Sequence, residues 1–138
     1  MNAALAHAIL RVTLGLNICL HGVQRFPHLN GFAGGVIKQF AGILPSALVT
    51  PYAYGLPFAE ALVGLLLIVG LFGRPALVGG ALLMASLTFG TALRGEHSAL
   101  AEQLVYELVY AALLATLSAD RFSLDALLAR RTTPQQPN

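Results

Sequence analysis

The chain has 138 residues, 57% of them hydrophobic and only 10% charged, with a mean hydropathy of +0.73 and a formal charge of +2. A water-soluble domain carries roughly 25% charged residues, and a soluble fold of this length has no way to hide so much apolar surface, so the chain reads as integral to a membrane. The small, dispersed charge excludes a nucleic-acid-binding stripe, and the single cysteine, Cys19, excludes an internal disulfide or a CxxC couple.

The first apolar segment runs from about Ala4 to Arg25. It lacks a basic leading region, outruns a signal-peptide core and carries Arg11 and His21, so it is expected to be a retained span. A long connection follows, Pro27 to Thr50, in which apolar residues at 36, 37, 40, 43 and 44 have helical spacing and predict a short interfacial helix. The second segment is Pro51–Phe72, with Thr50-Pro51 as N-cap and first helical residue. Gly73-Arg74-Pro75 closes it and opens the third, Pro75–Leu93, which makes the two antiparallel neighbours. The third holds no formal charge, and the polar turn Arg94-Gly95-Glu96-His97 leads to the fourth, Ala99–Ser118.

Each segment is near the ~20 residues a spanning helix needs. Rich in Leu, Ala and Gly without polar–apolar alternation, the segments suit helices rather than barrel strands. The expected fold is an all-α integral membrane four-helix bundle over residues 1–131, followed by a disordered polar tail at 132–138. Four spans put both termini on one side with Arg74, Arg121, Arg130 and Arg131, against Arg25, Lys38 and Arg94 opposite. The positive-inside rule then makes the termini cytoplasmic, in a bacterial-type inner membrane.

Charge at bilayer depth costs a few kcal/mol, by insertion scales, so ionisable residues inside spans face protein and pair or do chemistry. On the first helix Asn17, His21 and Gln24 with Arg25 recur on one face. Glu60 lies roughly 13 Å into the second helix from the same side, and Glu107 roughly 12 Å into the fourth, at a rise of ~1.5 Å per residue. Glu102, Tyr106 and Tyr110 repeat at i+4, with Gln103 beside them, and the third helix ends nearby with Thr91 and Arg94. The polar groups thus gather in the half of the bundle away from the termini, with Arg11 lower and able to reach up toward Glu60 or Glu107.

Each of these residues also has a structural reading. Arg11 with an acid is an ion pair that fixes helix register, His21 is an interfacial histidine, and Tyr106 and Tyr110 are packing aromatics. Gly64, Gly70, Gly79 and Gly80 are close-packing positions. No histidine pair has metal-ligand spacing on one helix, so no metal is expected.

Leu20-His21-Gly22-Val23-Gln24-Arg25-Phe26 resembles the HG-x-x-K/R element of the DoxX family. So do Glu60 with Gly64 and the run ending Gly70-Leu71-Phe72-Gly73-Arg74, Glu107 with Tyr110, and Arg121-Phe122-Ser123-Leu124-Asp125. The resemblance implies a four-helix membrane subunit related to thiosulfate:quinone oxidoreductases, acting with quinone, membrane lipid, a redox partner protein and, as one option, a second copy of itself. In that reading Glu60, Glu107 and His21 do the proton chemistry, while Arg11, Asn17, Gln24, Tyr106 and Tyr110 hold the quinone. A quinone needs a flat apolar slot, hydrogen-bond partners at its oxygens and proton-exchanging groups. The alternatives are a non-enzymatic membrane anchor or assembly subunit and, ranked third, a small transporter.

Overall fold

The computed structural model describes residues 2–132, so the predicted tail beyond Thr132 lies outside the described residues. Among them are six α-helices: α1 (Asn2–Val23), α2 (Leu29–Gln39), α3 (Ser46–Val69), α4 (Gly73–Leu93), α5 (His97–Ala115) and α6 (Leu124–Thr132). No strand occurs among the described residues. Four helical stretches, with α1, α3, α4 and α5 as their long helices, are long and apolar enough to span a membrane. At 1.5 Å per residue those helices are about 29–36 Å long, matching a bilayer core of about 30 Å.

The helices form a ring in the order α1, α3, α4, α5, in which α1 and α3 make the most extensive contact and α5 returns to α1. Lipid tails are as apolar as leucine, so helices associate in a membrane through close packing rather than hydrophobic exclusion. Small residues supply it here. Gly64 lies against the backbone of Cys19, and Gly22 lies against the Pro57 carbonyl and the Ala61 backbone. A Cβ at either position would meet main chain that cannot yield. Gly80 likewise accepts the Tyr110 ring, whereas Gly79 has nothing within 4 Å and is not a packing position. Gly70 is both the left-handed C-cap of α3, at φ 70°, and a close-packing position, where an added Cβ would meet Ser123 and the Arg11 guanidinium.

The buried core is made of Leu14, Ile18, Leu67, Leu77, Met84, Tyr110 and Leu113. Leu62, Leu82, Phe89 and Leu108 turn outward and are 59–69% exposed. For a membrane bundle that outward face is the surface that meets lipid.

Several boundaries differ from the sequence expectation. The turn between α3 and α4 is Gly70-Leu71-Phe72, so Gly73, Arg74 and Pro75 open α4 rather than separate the two helices. α3 begins at Ser46 behind an extended Pro45, so Pro51 lies inside the helix rather than at its start. Proline there deprives only the Ala47 carbonyl of its partner, a small loss so near the helix end. The short connecting helix is Leu29–Gln39, earlier than the 36–44 pattern suggested, and it packs on α3 through the fully buried Ala33.

The chain after α5 folds back across the α3–α4 turn. The Asp125 carboxylate accepts from the Phe72 N–H at 3.1 Å and the Gly73 N–H at 2.7 Å, and the Asp125 N–H donates to the Gly70 carbonyl at 3.1 Å. An acid from the far end of the chain therefore caps α4, meeting N–H groups that have no acceptor within their own helix.

Candidate functional site

Glu60 sits in the middle of α3, 4% exposed, and pairs with the Arg25 guanidinium just past the end of α1. The antiparallel crossing of α1 and α3 brings them together, because Gly22 allows α1 to approach Pro57 and Ala61 one turn from Glu60. Arg25 stays partly open to solvent, 26% exposed, and also lies over the Phe32 ring at 4.5 Å from its centroid.

The pair lines a cleft of about 220 Å³ between α1, α3, α4 and α5. His21, Glu102, Gln103 and Tyr106 supply its other polar walls, and Ile18, Met84, Leu87 and Ala99 the apolar ones. The Tyr106 hydroxyl donates to Asn17 Oδ1 at 3.0 Å, which ties α5 to α1 at the rim.

A second cavity, about 210 Å³, shares Arg25, Leu87, Ala99 and Gln103 with the first. α2 covers it through Phe32, Val36, Gln39 and Phe40. Arg94 holds this cover down: it donates to Gln39, lies 5.3 Å from the Phe40 ring centroid and pairs with Glu96 at 3.0 Å. Gln103 Nε2 donates to Thr91 Oγ1 at 2.9 Å. Two buried polar atoms of residues lining this cavity have no partner among the described residues, the donor Arg94 Nε and the acceptor Gln103 Oε1.

A third cavity, about 230 Å³, shares Phe40, Tyr52, Ser86 and Gly90 with the second. The rest of its wall is Leu44, Leu48, Val49 and Phe89, of which Leu48 and Phe89 are exposed on the outer, apolar surface. The three spaces thus grade from charged to polar to greasy.

The structure brings Glu60, His21 and Tyr106 to the cleft, with Asn17 behind Tyr106, and leaves the other sequence candidates outside it. Gln24 is exposed and does not line the cleft. Glu107 is half-buried on α5, away from the lining. Tyr110 is 1% exposed and belongs to the core, its ring against Gly80. Arg11 does not reach up to Glu60 or Glu107. It is 2% exposed at the opposite end, donating to the carbonyls of Leu67, Ile68 (3.2 Å) and Phe122 (2.8 Å), with Asp120 at 4.0 Å. Orphan carbonyls at the end of α3 draw it there. His7, which no motif marked, lies one turn away and meets Thr116 Oγ1 through Nδ1 at 2.9 Å. The pairing of Thr91 with Gln103 joins the last turn of α4 to the second turn of α5, which the short Arg94–His97 turn makes antiparallel neighbours.

The family described as methylamine utilisation protein MauE matches residues 3–101. The matched stretch runs from the first turn of α1 into the first turn of α5, and so takes in Arg11, Arg25, Glu60 and Arg94. No curated protein and no solved structure matches the chain. The match overturns the DoxX resemblance, since it assigns a different membrane family. The residues that carried that resemblance have local explanations here: Gly22 and Gly64 serve the α1–α3 crossing, Arg25 meets Glu60, and Asp125 caps α4.

Proposed function

Because the chain belongs to the MauE family, whose name ties it to methylamine utilisation, we propose that it is a membrane-embedded accessory subunit of an oxidative system and that its joined cavities seat a quinone. The observation that carries this reading is the run of three joined cavities, charged beside Glu60 and apolar where it opens past Leu48 and Phe89. A quinone carbonyl accepts a hydrogen bond, and Arg25, Arg94 and Gln103, which border the middle cavity, all carry N–H donors. The apolar third cavity leads an isoprenoid tail out past Leu48 and Phe89 to lipid. Glu60 and His21, in the adjoining cleft, are placed to hold and pass protons. In this reading electrons enter and leave through a partner protein, and both termini face the cytoplasm, as the positive-inside bias favours. On the opposite side Arg25 and Arg94 are already paired with Glu60 and Glu96.

The test is retention of a short-chain benzoquinone by the detergent-purified protein through size-exclusion chromatography, quantified by HPLC. Gln103→Leu removes an amide N–H donor that borders the middle cavity and is expected to weaken retention about tenfold, the equivalent of one buried hydrogen bond. Leu82→Ala, on the lipid face, should leave it unchanged. Wild-type protein that retains no quinone would refute the reading.

A second reading, a non-enzymatic assembly subunit, draws on the Arg25–Glu60 pair itself, which could serve only to set helix register. The two readings part at the double variant described below.

A further inference from the structure

The segment from Asp120 to Arg131 separates its charges by direction. Its two acids point inward: Asp120 is 8% exposed beside Arg11, and Asp125 is occupied by the N–H groups of Phe72 and Gly73. Its basic residues Arg121, Arg130 and Arg131 point outward. Neither Arg121 nor Arg130 has an acidic partner among the described residues, where the ion pairs use Arg11, Arg25 and Arg94.

Arg121 and Arg130 line one cavity of about 410 Å³, whose other walls are Ala3, Ala4, Ala119 and Phe122. Ala3 and Ala4 belong to the first turn of a helix that crosses the membrane, so the cavity lies at the membrane–water boundary rather than at bilayer depth. Apolar side chains surround it. Phe122, Leu124, Leu127 and Leu128 are 42–59% exposed, and the three leucines share one face of α6. A short helix with an exposed leucine face and outward arginines lies in the membrane plane with the leucines in acyl chains.

From this arrangement we infer that the Arg121–Arg130 cavity binds the phosphate of an anionic phospholipid whose acyl chains run along the leucine face of α6. Guanidinium groups take phosphate oxygens through forked, charge-assisted hydrogen bonds, and here two of them border one space. The adjacent leucines and Phe122 favour a phosphate that carries acyl chains over a free one. The inference is independent of the quinone cavities, which lie in the opposite half of the bundle.

The experiment is native mass spectrometry of the full chain released from nanodiscs containing equal phosphatidylglycerol and phosphatidylcholine. Wild-type protein is expected to keep phosphatidylglycerol preferentially. Arg121→Gln with Arg130→Gln should weaken that preference about 30-fold, as expected for two interfacial arginines. Arg74→Gln, on the same side but outside this cavity, should keep it. Both substitutions alter exposed side chains, and an unchanged melting temperature confirms that the fold is intact. Equal retention of the two lipids by wild type, or an undiminished preference in the double variant, would overturn the inference. A millimolar excess of inorganic phosphate should leave the lipid bound, and displacement by it would make the cavity a free-anion site instead.

Discussion

Replacing Arg11 with methionine is expected to destabilise the protein by about 3–5 kcal/mol, the range for breaking a buried charged contact from one side. The guanidinium serves the carbonyls of Leu67, Ile68 and Phe122 and lies beside Asp120, all at the seam where α1, the end of α3 and the returning C-terminal segment meet. Methionine fills the volume and removes the donors. Three carbonyls and a nearly buried carboxylate are then stranded in a dry region. Lysine rescues only part of the loss, because one ammonium cannot fork to carbonyls on two separate segments. Unfolding in detergent micelles measures the size of the effect, and limited proteolysis places it: the stretch from Thr116 to Thr132 should become the first cleaved. A variant as stable and as protease-resistant as wild type would show that Arg11 does not pin these elements.

The second large effect concerns Arg25 and Glu60. Arg25→Met leaves Glu60 buried without its counter-charge and should cost about 3 kcal/mol. Glu60→Met is milder, about 1 kcal/mol, because Arg25 is partly exposed and can turn to water. Combining them should restore stability to near wild type, since a well-packed apolar pair often matches a buried ion pair. A double-mutant cycle by thermal unfolding in detergent checks this. The same double variant separates the two functional readings. If the pair only sets helix register, the refolded double variant keeps partner assembly and the activity of the wider system. If the cleft is a working site, the protein folds and assembles, and its proton-coupled activity is lost.

Much of the bundle was legible in the chain. The four spans follow from apolar run length and the α4–α5 turn from Arg94-Gly95, while the α3–α4 turn falls at Gly70–Phe72, just ahead of the expected Gly73-Arg74-Pro75. The gathering of His21, Glu60 and Tyr106 followed from counting turns along antiparallel helices. What failed was the pairing of charges. Arg11 and Glu60 looked like partners because both sit in greasy spans, yet orphan carbonyls at the end of α3 hold Arg11 while Glu60 takes the nearer Arg25. Depth alone could not choose between them, since a long arginine side chain reaches several ångströms along a helix. Asp125 as a cap for α4 was hidden because its partners are about 50 residues away and pair with it only once the C-terminal segment has folded back. Tyr110 kept the spacing of a site residue, but Gly80 opposite it turned that position into core.

The family assignment shows where short motifs mislead. Glycines before a basic residue and an acid ahead of a glycine are what two close-packed membrane helices with one internal ion pair require, whatever the bundle is used for. Such elements resembled one family while the longer match over residues 3–101 assigned another. The polar walls supplied by Gln103 and Tyr106 lie beyond that match, on α5.

Photolabelling with an azido-benzoquinone, followed by peptide mapping, tests the quinone site most directly. Label is expected on peptides carrying Phe40, Ser86 or Gln103, and excess unlabelled quinone should suppress it. Label spread over the outward residues Leu62, Leu82 and Leu108, and indifferent to competitor, would mean that quinone meets this protein only as a solvent molecule of the membrane.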